Sequence, residues 1–199
     1  MIGAILGALA GLLAGYISRG LVQGWRLRWP DPLTLGLSLL GGVLVSQHPL
    51  ARLEPAGPLV ATVLVGVLTL IAASDIRERA VYPILVYPAV LVVVAAAPWI
   101  GIWRIDALKG AVFMTVLFLV IYLAAQFISG PGALGAGDVS VSVLVGAIAG
   151  LSRIDQALIL LGFAGGLMAL GAAVRARSFR TAFPYAPALC IGALGATMG

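Results

Sequence analysis

The sequence predicts an all-α protein, a polytopic integral membrane protein with about eight transmembrane helices. Three observations carry this. Hydrophobic residues make up 62% of the 199 positions and charged residues only 10%, whereas a soluble domain is typically about 25% charged. The mean hydropathy is +1.14. Apolar runs such as 57–74, "GPLVATVLVGVLTLIAAS", and 107–129, "ALKGAVFMTVLFLVIYLAAQFIS", fall within the roughly 17–25 residues that cross a bilayer core. They do not alternate apolar with polar positions, which excludes an outer-membrane barrel.

The spans follow in order, each bounded by a breaker. The first, 2–18, lacks the basic start of a secretory signal and reads as a retained helix. The connector 19–32 ends in "RWPDP", and the second span follows at 33–47. "HPLARLEPAGP" at 48–58 separates it from the third span, 57–74. A basic connector, 75–81, leads to the fourth span, 82–99, which "APWIG" at 97–101 closes. The fifth span, 107–129, runs into the Gly-rich "GPGALGAG" of 130–137, followed by the sixth span at 138–151. The seventh and eighth spans, 155–174 and 184–198, flank the Arg-bearing connector 175–183. The longest connector is only 14 residues, so 1–199 reads as one membrane domain with two N-terminal spans in 1–56 and a core over about 57–199. The 26 glycines suit close helix packing of the small-xxx-small kind.

A net charge of +5 would suggest a nucleic-acid partner in a soluble protein. Here the arginines set topology instead, and no nucleic-acid partner is expected. The connectors 19–32, 75–81, 130–137 and 175–183 lie on one side of the alternating spans and hold eight of the twelve cations: Arg19, Arg26, Arg28, Arg77, Arg79, Arg175, Arg177 and Arg180. Arg52, Arg104, Lys109 and Arg153 lie on the other. The positive-inside rule makes the first side cytoplasmic and both termini external. Trp25, Trp29, Trp99 and Trp103 fit interfacial belts. The lone Cys190 offers no intrachain disulfide. His48 is read into the external loop beside Pro49, where one His without a Cys pair makes no metal site. No cofactor is expected.

Function is sought among the seven acids. Asp31, Glu54, Asp106 and Asp155 fall in loops or at span ends, where a solvated carboxylate is ordinary, and Glu78 lies between Arg77 and Arg79. Asp75 ends the third span and Asp138 begins the sixth, so the topology sets both at the cytoplasmic side. An ionisable group at membrane depth costs about 2.5–3.5 kcal/mol on insertion scales and marks a candidate site. The structural alternatives are that Asp138 N-caps the following helix and that Asp75 pairs with Arg77 or Arg79. If the two acids meet, they share one proton, and the pair can activate water and protonate an amide. Gly135 and Gly137 allow positive φ and close backbone approach, which admits an irregular helix entry beside a wet cavity. Ser129, Ser140 and Ser142 have no His or Lys placed near them to act as a base.

"SDIRERAVYP" (74–83), "GALGAGDVS" (132–140) and "FPYAPAL" (183–189) together resemble the prepilin peptidase family, polytopic aspartic proteases of the G-x-G-D type. The resemblance runs from about residue 57 onward. It implies that Asp75 is the first catalytic aspartate, followed by a basic loop and Pro83, and that Asp138, with Gly135 and Gly137, is the second. Pro184 and Pro187 match the proline-bearing entry to the last span. Arg77 and Arg79 are then candidate contacts to substrate or lipid. There are three departures: no Cys-bearing domain between the first two spans, so no methyltransferase activity is expected; Ser140 where the family often has Lys; and Ile84 after Pro83 where Asn is usual. Presenilin-type proteases, which share G-x-G-D, place a Tyr where this chain has Ser74.

The resemblance implies an intramembrane aspartic endopeptidase in the inner (cytoplasmic) membrane of a prokaryote. Its substrate would be a pilin-like precursor, cut at the cytoplasmic face after a short basic leader. Membrane lipids are the other expected partner. Two other classes fit the same residues: a silent membrane protein that binds or assembles pilin-like subunits, and a small transporter whose two aspartates carry protons or cations.

Overall fold

The structure, a computed structural model, describes residues 2–23, 31–49, 57–100, 102–130, 134–176 and 184–198. Trp25, Trp29, Arg26, Arg28, Arg52, Glu54, Arg177 and Arg180 lie outside the described residues.

The described chain is all-helical. Its α-helices are α1 (Ile2–Gln23), α2 (Pro32–Gln47), α3 (Gly57–Glu78), α4 (Pro83–Ala96), α5 (Arg104–Ser129), α6 (Ala136–Ala149), α7 (Ile154–Ala176) and α8 (Ala186–Ala196). Each matches one expected span. Four are long and apolar enough to cross a membrane, over 3–20, 58–78, 104–128 and 151–175. The other four are apolar but only 16, 14, 14 and 11 residues long. At about 1.5 Å per residue, a helix of 14 residues falls short of a hydrocarbon core about 30 Å thick. Long helices with apolar outer faces alternate with short ones, as in a polytopic membrane protein.

Two boundaries differ from the sequence reading, and both bear on the candidate acids. α3 continues through Glu78, so Asp75 lies within its last turn instead of following the helix. α6 begins at Ala136 with Gly135 as N-cap, so Asp138 is its third residue and not its N-cap.

The chain divides into two compact units, Met1–Ala80 with Met198 and Val81–Thr197 with Gly199. In the first, α1 packs on α2 and α3. Gly7, Gly11 and Gly15 recur every four residues along α1, and a Cβ on any of them would strike Gly41, Leu37 or Thr34 of α2. This small-xxx-small seam is tied by the Ser38 hydroxyl, which donates to the Ala8 carbonyl at 2.8 Å. His48 closes α2 as its C-cap and is buried, not set in an open loop as the sequence suggested. Burial lowers its pKa because the imidazolium loses hydration.

In the second unit α6 is the central helix, with α4, α5 and α8 packed on it. Ten of its residues, from Asp138 to Ala149, are buried, as expected of a helix that is apolar nearly all round. Gly110 of α5 and Gly146 of α6 face each other so closely that a Cβ on either would overlap the other's carbonyl. Ser142 donates to the Met114 carbonyl of α5 at 3.3 Å and to the Val139 carbonyl at 2.7 Å. α5 contrasts with α6: Val112, Val116, Val120, Leu123 and Phe127 are exposed along it. An apolar face of that extent suits lipid and not water. Asp106, read from sequence as a solvated end charge, accepts from the Ser152 hydroxyl at 2.6 Å and so ties the start of α5 to the turn before α7.

Candidate active site

Asp75 belongs to the first unit and Asp138 to the second. Both carboxylates are sheltered, with residue exposures of 6% and 8%.

Asp138 is held by its own helix start. Its Oδ2 accepts the Gly135 N–H at 3.2 Å, and its backbone N–H donates to the Gly135 carbonyl at 3.1 Å. An acid at the third helical position that reaches back to the N-cap N–H is one half of a capping box. The favourable end of the helix dipole supports its charge. The two glycines act by what they lack. A Cβ on Gly135 would lie 3.3 Å from Asp138 Oδ2, crowding the carboxylate off its donor. A Cβ on Gly137 would come within 2.9 Å of the Val81 Cβ, where the segment before α4 crosses the start of α6. The positive φ that glycine allows is not used at either: Gly135 has φ −77°, and the positive-φ glycines among the described residues are Gly130 and Gly150. Gly130, at φ 87°, ends α5, and the Gln126 side chain in the last turn of α5 donates to the Leu134 carbonyl, just before α6, at 3.3 Å. Ser140 is buried one turn-half further on.

Asp75 lies in the last turn of α3, beside the buried Ser74, whose hydroxyl donates to the Ile71 carbonyl at 2.9 Å. Its carbonyl accepts the Arg79 N–H at 2.8 Å, and Arg79 then leaves the helix with φ 53°. Arg77, one of two arginines that sequence offers as a partner for Asp75, places both terminal nitrogens on Asp31: Nη1 donates to Oδ2 at 2.8 Å and Nη2 to Oδ1 at 3.0 Å. Nη2 also donates to the Thr34 hydroxyl at 3.2 Å. The Thr34 N–H donates to Asp31 Oδ1 at 2.9 Å, which makes Asp31 the N-cap of α2. The Arg77 hydrogen bond holds the Asp31 carboxyl well below the usual carboxylate range, the two Thr34 hydrogen bonds add to this, and partial burial opposes it. Arg79 is exposed.

Pro83 opens α4 at a first-turn position, where its fixed φ and missing N–H fit a helix start. Pro187 does the same in α8. Two residues join the picture that sequence reasoning passed over. Asp31 was read as a solvated loop acid. Its signal is the Pro-Asp-Pro-x-Thr order of residues 30–34, which marks a helix cap. Tyr185, at the entry to α8, lies within electrostatic reach of Asp138. Its ring packs on Phe118 with centroids 6.3 Å apart, and a Cβ on Gly165 would lie 3.0 Å from its Cε2. Among the described residues no three His, Cys, Asp or Glu side chains cluster as metal ligands would.

A sequence profile of the Type IV leader peptidase family matches residues 62–170, more than half of the chain, and that stretch includes both Asp75 and Asp138. Searches of curated proteins and of solved structures found no match.

Proposed function

The chain belongs to the type IV leader peptidase family, and we propose that it is an aspartic endopeptidase in which Asp75 and Asp138 form the catalytic pair. The observation that carries this is the burial of two carboxylates in helix-end turns inside the family-matched segment. A buried acid at a helix end of a membrane protein is retained against a desolvation penalty. Connectivity supports the pairing: five residues, 76–80, separate Asp75 from Val81, whose side chain bears on Gly137.

In this reading one member is ionised and draws a proton from water, while the other, protonated, donates to the departing amine. The roles exchange as the pair resets. Two carboxylates at close range hold one proton between them, so the titration belongs to the pair. The substrate is a pilin-like precursor with a short basic leader and a following apolar helix. That helix would dock laterally among the spans and present the leader junction to the pair. The proposed membrane is the inner membrane of a prokaryote, with the pair on the cytoplasmic side, where the positive-inside rule sets the Arg-rich connectors. With no Cys-bearing connector between the first two spans, N-methylation of the product is not part of the activity. The peptidase core is about 57–199, preceded by two spans in 1–56.

Co-expression with pilin-like precursors from the same genome tests the proposal. Wild type should release the leader, and Asp75→Asn and Asp138→Asn should each lower cleavage by roughly 10²–10⁴-fold, the range of a positioned acid or base. Cleavage that persists in either variant would remove that residue from the pair. No cleavage by wild type would favour a subunit-binding or transport protein.

A further inference from the structure

We infer that the bidentate Asp31–Arg77 pair is a positioning device for Asp75, pinning the last turn of α3 to the first turn of α2. The inference rests on the reading of Asp75 as catalytic.

A last helical turn is the part most prone to fray, because its carbonyls run out of intrahelical donors. α3 places a buried acid there. Its local stop signal is poor: the residue that turns left-handed is Arg79, with φ 53°, where glycine is the usual choice. The hold comes from outside the helix. Arg77 reaches across 46 residues of sequence to Asp31, through two bonds of 2.8 and 3.0 Å. Thr34 closes the network from both sides, accepting from Arg77 at 3.2 Å and donating to Asp31 at 2.9 Å.

Shelter separates this pair from an ordinary surface ion pair, which contributes little. The Arg77 side chain is 10% exposed and that of Asp31 27%. A fork of two parallel charge-assisted bonds fixes direction as well as distance. The Arg77 Nε is buried without a hydrogen-bond partner, a penalty that a surface arginine would avoid by swinging into water. Aim at Asp31, not the number of bonds made, therefore sets this side chain. At i and i+2, Asp75 and Arg77 leave the helix on different faces. Arg77 thus steers the turn from a face other than that of Asp75.

Two readouts in detergent-solubilised full-length protein test this, one of them independent of activity. Asp31→Asn keeps an oxygen to cap α2 but removes the charge, and Arg77→Gln removes the fork. Hydrogen exchange at residues 75–79 should speed up about tenfold or more in each variant, while α1 amides exchange as in wild type. Unchanged exchange at 75–79 would overturn the inference, whether or not any precursor is cut. In the cleavage assay, run well below each variant's unfolding midpoint, kcat should fall about 10- to 100-fold with KM within about threefold, as misplacing a catalytic group by about 1 Å does. The double variant should be no worse than Arg77→Gln alone, because the two residues act as one unit. A kcat per folded enzyme within twofold of wild type would reduce the pair to a structural role. A wild type that cuts nothing would instead remove the catalytic reading of Asp75, and the exchange result would still decide whether the pair holds the turn.

Discussion

The last turn of α3 and the first turn of α6 each carry one buried aspartate, and they hold it by opposite means. Asp138 is held locally: its carboxylate folds back onto the N–H of Gly135, three residues away, at the helix end whose dipole favours negative charge. Asp75 occupies the other kind of helix end, where the dipole opposes negative charge. Its turn is braced from a distance, by Arg77 on Asp31 and Thr34. One acid thus depends on glycines beside it and the other on an ion pair with a different helix. The two should fail under different perturbations.

The largest contrast is expected at the glycines. Gly137→Val sets a branched side chain against Val81, where even a Cβ would come within 2.9 Å. Overpacking of this kind costs about 1–3 kcal/mol and should lower the unfolding midpoint and abolish cleavage together. Gly135→Ala meets only the Asp138 carboxylate at 3.3 Å, so it should leave the midpoint near wild type and lower kcat alone. Equal behaviour of the two variants would contradict the separate roles given to these glycines.

A smaller effect should appear at the other acid's brace, and it should depend on pH. The folded pKa of Asp31 is lowered from 3.8, so its pair stabilises the fold above that value and loses its effect as pH falls towards the folded value. The difference in unfolding midpoint between wild type and Asp31→Asn should therefore hold steady from pH 7 to about pH 5 and shrink only below about pH 4. A difference that vanishes between pH 7 and 5 would mean that Asp31 is not held ionised by Arg77.

This contrast also explains what was legible in the sequence. Eight apolar runs punctuated by Pro and Gly marked the eight α-helices of the described residues, because an unbroken apolar run between two breakers can be read locally, although only four of them reach the length a bilayer imposes. The helix start that carries Asp138 was legible, since "GAGD" before an apolar run is a local arrangement, although the reason for its glycines differed. They make room for a carboxylate and for Val81, and they do not supply positive φ. The Asp75 brace was not legible. Asp31 and Arg77 are 46 residues apart, and nothing local distinguishes a paired acid from a solvated one. Which of two arginines pairs, and with which acid, is decided by how α2 packs on α3. Tyr185 was missed for the same reason: its place near Asp138 follows from packing of α8 on α6.

The central claim is that Asp75 and Asp138 work as a pair, and thiol cross-linking tests it most directly. In a Cys190→Ala background, Asp75→Cys and Asp138→Cys would be combined and treated in membranes with a short bis-methanethiosulfonate, with and without a pilin-like precursor. The account predicts an intramolecular cross-link joining the two positions, identified by mass spectrometry and strongest with precursor present. Efficient single labelling of both thiols with no cross-link in either condition would contradict it.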